Sequence, residues 1–179
     1  MTGRRIDGWA AAVALVALGL LGHVAASASA TPQAPEIRSS HWFNSTPLRA
    51  EDVRGKVRLV EFWAFRCINC VRTVPAMRAL SEHYGHDLVI IGVHTPELDE
   101  ERDPRQVAEA VRRLDVRYPV ATDNDYAVWR AFGNRYWPAL YLIDKRGRIR
   151  ATHVGELHQG TPEWSELVTR IDALRREPG

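Results

Sequence analysis

Cys67-Ile68-Asn69-Cys70 is the segment of this sequence whose residue types and spacing speak most directly of chemistry. It holds both cysteines of the chain. Two cysteines three apart can close a disulfide across the first turn of a helix. The first sulfur then sits at the helix N-terminus, where free backbone N–H groups and the positive dipole end stabilise a thiolate. A thiolate is a nucleophile; its attack on a partner disulfide gives a mixed disulfide, which the second thiol resolves. Cys67 is the expected attacking group and Cys70 the resolving one. A zinc site would need two further ligands, and the chain has no second cysteine pair. A purely structural disulfide over so short a loop would remove little unfolded-chain entropy. The expected chemistry needs no metal and no organic cofactor, because the Cys67–Cys70 disulfide is itself the reagent.

Such a pair needs a buried strand before it and a helix after it. Val57–Trp63 supplies the strand. Val57, Leu59 and Glu61 point to one face, Val60 and Phe62 to the other. Both faces are mostly apolar, as in a central strand covered on both sides. A helix is expected from near Cys67 to about Tyr84, with Gly85 as its stop. Leu88–His94 reads as a second buried strand. Asp103-Pro104 opens a helix with Val107, Ala110, Val111 and Leu114 at helical spacing. Tyr118–Ala121 reads as a short extended piece and Asp125–Phe132 as a short helix closed by Gly133. Ala139–Ile143 and Arg148–Val154 form a hairpin about the turn 144–147, and Thr161-Pro162 caps a last helix to about Arg175. This alternation implies an α/β domain, a mixed sheet flanked by helices.

The chain has 179 residues, 45% hydrophobic and 26% charged, which fits one globular domain and excludes a disordered chain. Its formal net charge of +2 argues against nucleic acid as a partner. Two cysteines exclude a disulfide framework, a four-cysteine zinc site and an iron–sulfur cluster. Arg4-Arg5, the apolar run Trp9–Leu21 and Ala28-Ser29-Ala30 follow the pattern of a secretory signal, with an uncleaved membrane anchor as the alternative. Residues 1–30 are therefore read as signal or anchor, 31–36 as a linker and 37–179 as the domain, which faces outside the cytoplasm (periplasm or cell envelope). Asn44-Ser45-Thr46 matches a glycosylation sequon.

Glu61-Phe62-Trp63-Ala64-Phe65-Arg66-Cys67-Ile68-Asn69-Cys70, with Pro75 five residues on, resembles the thioredoxin active-site segment. Trp137-Pro138 before a strand resembles that family's cis-proline loop. Gly92-Val93-His94-Thr95-Pro96-Glu97, Asp123-Asn124-Asp125-Tyr126 and Gly133-Asn134-Arg135-Tyr136 narrow the likeness to extracytoplasmic TlpA-like thioredoxins. Within these the chain is most similar to the thioredoxin domain of DipZ-type proteins, which fuse it to a CcdA-like membrane electron carrier. The resemblance runs from about Ile37 to Arg175 and implies a thioredoxin fold with an N-terminal extension.

It also implies roles. Glu61 takes the place of the buried carboxyl behind the cysteines and would accept a proton from Cys70; the alternative is a strand-end glutamate reaching solvent. Trp137 and cis Pro138 would offer backbone to an extended substrate beside the disulfide, and Trp63 would pack next to the dithiol as part of the same substrate-binding surface, with a simple core residue as its alternative. Pro75 would kink the active-site helix; loop and helix punctuation is the plainer reading of both prolines. His94, with Glu97, follows the second strand and would tune the thiolate, unless it lies in a solvated loop.

The function so implied is an exported thiol–disulfide oxidoreductase acting on protein thiols and disulfides. A CcdA- or DipZ-like membrane protein would feed it electrons. Ile68-Asn69 lacks the histidine found between the cysteines of strong oxidants, which favours a reductant over a DsbA-like oxidant. A Cu(I)-binding chaperone without turnover, similar to Sco proteins, is the rival of another class; Sco proteins carry three residues between their cysteines. The Pro-x-x-x-Thr-x-x-Cys surround of a peroxiredoxin is missing.

Overall fold

A computed structural model describes residues 31–179. The expected signal or anchor, residues 1–30, lies outside the described residues. No helix among the described residues is long and apolar enough to cross a membrane.

Six strands form one sheet in the order β1-β4-β3-β2-β5-β6. They are β1 (Trp42–Phe43), β2 (Val57–Trp63), β3 (Leu88–His94), β4 (Val120–Thr122), β5 (Ala139–Ile143) and β6 (Ile149–Val154). β2 runs parallel to β3, and β3 to β4; β5 is antiparallel to both β2 and β6. The helices are α1 (Ile68–Tyr84), α2 (Pro104–Arg113), α3 (Ala127–Ala131) and α4 (Pro162–Arg176). The mixed sheet flanked by helices is the arrangement expected from the alternation of apolar runs.

β2 sits at the centre because both its faces are apolar. Val57, Leu59 and Trp63 pack with Val74, Met77 and Leu80 of α1 and with Leu167 and Ile171 of α4. Val60 and Phe62 pack on the other side with Val128, Phe132 and Tyr141. Each such side chain, fully buried, contributes about 1.5–3 kcal/mol. The period-two alternation of β2 therefore serves two separate clusters, and Glu61 falls on the α1 side.

α1 begins one residue after Cys67, which is its N-cap, and Gly85 ends it at a φ of 53°. Pro104 and Pro162 open α2 and α4 behind the caps Asp103 and Thr161. Two elements differ from the sequence reading. α3 is shorter than 125–132: Asp125 lies before it and accepts from the Ala127 N–H, while Asp123 accepts from the N–H groups of Val128 and Trp129. Residues 31–36 do not hang as a linker. The Ala34 N–H donates to Gly147 O at 2.8 Å and the Ile149 N–H to Pro32 O at 2.8 Å, fixing this segment to the β5–β6 turn. Asn44 of the sequon donates its side-chain amide to Val116 O and Tyr118 O, at 2.8 and 3.0 Å, and so ties β1 to the chain entering β4.

Candidate active site

The carboxyl ends of β2 and β3 and the start of β5 lie at one end of the sheet, and the cysteines sit there. Cys67 has extended backbone (φ −67°, ψ 109°), and its sulfur accepts from the Cys70 N–H at 3.3 Å. That contact places the sulfur on the free amides of α1, as the spacing predicts. Both cysteines are thiols in this structure. Their environments differ. Cys67 keeps 9% of its surface and is followed by exposed Ile68 and Asn69, whereas Cys70 is wholly buried. Burial, and next the contact with Cys67, push the Cys70 thiol well above the ordinary range.

Glu61 lies behind the pair, fully buried. Its Oε2 accepts from the Tyr118 hydroxyl at 2.8 Å, and its Oε1 has no partner among the described residues. Desolvation raises its pKa to about 7, against the opposing pull of the Tyr118 bond. Its negative charge in turn helps to oppose ionisation of Cys70. The solvent-reaching alternative for Glu61 is thus ruled out by position. Gly92 pairs with Glu61 across β2 and β3. A β-carbon there would come within 3.0 Å of the Trp63 indole nitrogen and 3.2 Å of the Tyr118 ring. A side chain at position 92 would displace the two rings that close this chamber.

The peptide bond Trp137–Pro138 is cis. The Trp137 indole donates to Thr95 O at 3.0 Å and packs against Trp129, the ring centroids 4.0 Å apart and the planes tilted by 34°. The backbone N–H and C=O of Trp137 make no backbone hydrogen bond among the described residues.

Two expectations are corrected. Trp63 is completely buried, its ring edge-on to His94 at 5.2 Å, so it has no surface to offer a substrate. It forms the wall of the site. His94 is also completely buried, and desolvation lowers its pKa to about 4. It is therefore neutral and cannot tune a thiolate as a cation. Its Nε2 accepts from the Phe65 N–H at 3.4 Å while its ring stacks on Phe65. It supports the turn that leads into Cys67. Glu97 is exposed.

The sequence reading missed Glu101. It stands among acidic neighbours that are solvated, yet it is fully buried. Its Oε1 accepts from the Arg66 N–H at 2.8 Å, and its Oε2 from the N–H groups of Glu97 and Leu98 at 2.8 and 2.9 Å. One side chain thus joins the residue before Cys67 to the loop after β3. Nothing in local spacing marks it. The Glu101→Ala variant would take the shared carboxylate from three partly buried backbone donors and is expected to lose about 3 kcal/mol of stability in urea unfolding. A loss below about 1 kcal/mol would remove Glu101 from this role. Asp123 is a second residue of this kind. It accepts from the Thr95 hydroxyl and from the N–H groups of Val128 and Trp129, tying the end of β3 to α3.

Among the described residues no three His, Cys, Asp or Glu side chains gather as a metal site. His83 and His86 lie at the far end of α1 from the cysteines.

A Cys-x-x-Cys pair at the N-terminus of a helix, backed by a buried carboxyl and faced by a cis-proline loop, defines a thiol–disulfide oxidoreductase of the thioredoxin type. The chain belongs to the AhpC/TSA family, whose pattern matches residues 31–152. It is 43% identical over 128 residues to the protein DipZ of Mycobacterium bovis, covering 69% of this chain and 18% of DipZ. It is 31% identical over 114 residues to the thiol-disulfide oxidoreductase YkuV of Bacillus subtilis, covering 64% of this chain and 77% of YkuV. Among solved structures, a thiol-disulfide isomerase from Corynebacterium glutamicum superposes with a TM-score of 0.68 at 25% identity. That match covers 80% of this chain and 97% of the other. The chain spans less than a fifth of the length of the DipZ relatives.

Proposed function

We propose that this protein is an extracytoplasmic reductant of protein disulfides, with Cys67 as nucleophile, Cys70 as resolving thiol and Glu61 as proton acceptor. The observation that carries the assignment is the asymmetry of the pair: Cys67 borders solvent at a helix N-cap, and Cys70 is sealed against a glutamate poised near neutrality. The Cys67 thiolate attacks one sulfur of a client disulfide, and the other client sulfur leaves as a thiolate. Glu61 takes the Cys70 proton, and the Cys70 sulfur attacks Cys67. The client's second thiol is released, and the protein keeps the Cys67–Cys70 disulfide. Two electrons have passed to the client. An extended client segment beside the dithiol would pair with the free backbone of Trp137, which precedes Pro138.

The direction rests on electrostatics. A cation near the nucleophile stabilises the reduced form and makes a pair oxidising. Ile68 and Asn69 bring none, His94 is neutral, and the adjacent Arg66 faces Glu100 at 3.8 Å. The likeness to DipZ supports a CcdA- or DipZ-like membrane protein as the source of electrons, and the pattern of residues 1–30 supports export or anchoring. Equilibration against defined thiol buffers should place the reduction potential near that of thioredoxin, roughly −270 mV. A value near roughly −120 mV, in the range of DsbA, would reverse the direction and make the protein an oxidant.

A further inference from the structure

The face of the sheet turned away from the dithiol carries a cavity of about 440 Å³. Its floor is Val60, Ile91 and Ile143, from the adjacent strands β2, β3 and β5, with Phe132 beside them. Its roof is the N-terminal segment, residues 33–37, 48–50 and 53–54, with Trp42. Bonds from Ala34 N–H to Gly147 O and from Gly55 N–H to Lys145 O hold that roof, at 2.8 and 3.2 Å. The volume falls among those of small-molecule sites, roughly 300–1,000 Å³.

The charge around it is one-sided. Arg49, Arg54, Arg58, Lys145 and Arg146 line it, against the single acid Glu36, which is already paired with Arg38 at 2.8 Å. Arg49 reaches Glu51 at 3.7 Å, and the Lys145 ammonium donates to Arg175 O and Glu177 O. Arg58 feels the charge of Asp144, but that carboxylate is already held by Arg148 and Arg150 at 2.8 and 3.1 Å. Arg58 is partly buried on the central strand and makes no ion pair among the described residues. Its Nε is buried without a hydrogen-bond partner among the described residues. Holding a guanidinium there costs free energy unless an anion meets it. The planar fork of arginine matches a carboxylate in two parallel hydrogen bonds. The apolar floor beyond it matches an aliphatic or aromatic body.

We infer that this cavity binds a small amphipathic carboxylate, its head on Arg58 and its apolar body on Val60, Ile91 and Ile143. This is a ligand site separate from the redox centre, since Arg58 shares its face of β2 with Val60 and Phe62, whereas Glu61 and Trp63 face α1.

Octanoate is the probe and octan-1-ol its uncharged counterpart. Each is titrated into the full chain and followed in ¹H–¹⁵N spectra at the Trp42 indole and the Ala34 and Gly147 amides. Saturable octanoate binding at these groups is expected. Arg58→Gln should weaken it about tenfold or more, and octanol should bind weaker by a similar factor. Ala34→Trp, which narrows the roof while leaving Arg58 in the sequence, should also weaken binding. It supplies the test if Arg58→Gln does not fold. Thiol–disulfide turnover, read in parallel, should be unchanged in Arg58→Gln, so that failure of the redox reading and failure of this site are told apart. Absence of saturable shifts at the three groups overturns the site. So do equal affinities for octanoate and octanol, or for wild type and Arg58→Gln.

Discussion

Replacing Cys70 by serine should turn the protein from a catalyst into a trap, with one client molecule held per chain through Cys67. The argument is geometric. A client disulfide reaches only the sulfur at the N-cap, because Cys70 has no exposed surface. Once the mixed disulfide forms, its release needs an internal thiol, and the serine hydroxyl is no substitute for one. Turnover should fall to the uncatalysed level while the first attack persists. Replacing Cys67 instead removes both attack and turnover, because burial holds the remaining Cys70 thiol protonated. Mass spectrometry of each variant after incubation with insulin reads the outcome directly. A covalent adduct is expected in Cys70→Ser and none in Cys67→Ser. An adduct on Cys70 forming as fast as that on Cys67 would reverse the assigned order.

The parts of this site that were legible in the sequence are those set by neighbours along the chain. The Cys-x-x-Cys pair, the apolar strand before it and Gly85 after it fix β2 and α1, because helix capping and period-two burial are local rules. Glu61 was conspicuous for the same reason, a carboxyl in a run of core residues. What escaped depends on contacts between distant segments. Tyr118 meets Glu61 across 57 positions, and Glu101 meets Arg66 across 35. Glu101 was hidden further by its acidic surroundings, which read as a solvated loop. The burial of Trp63 and His94 follows from the fit of their rings against each other and from the space left at Gly92, neither of which a single strand displays. β1 has two residues, too few to show any periodicity.

Glu61→Gln should change both the pH dependence of stability and the rate of resolution. In an unfolded chain a glutamate titrates near 4.5, and in the folded protein Glu61 does so near 7. The native state therefore favours the protonated form. Stability linked to Glu61 is fully present below pH 4.5 and falls as the pH rises through 7, because the buried site must then hold a charge. The interval corresponds to about 3 kcal/mol. The glutamine variant carries no such charge. Urea unfolding of the reduced protein should show the variant gaining about 3 kcal/mol on wild type between pH 4 and pH 8. The catalytic consequence has the opposite sign. Below pH 7 Glu61 already carries a proton and cannot take one from Cys70. Above it the carboxylate can, so resolution of the mixed disulfide should quicken through neutrality in wild type. The variant should lose that inflection and resolve the adduct about a hundredfold more slowly at pH 8, with the first attack by Cys67 little changed. Stopped-flow measurement of the two steps separates them. Equal rates of resolution in the two proteins at pH 8 would take Glu61 out of the mechanism and leave it a buried group whose only effect is on stability.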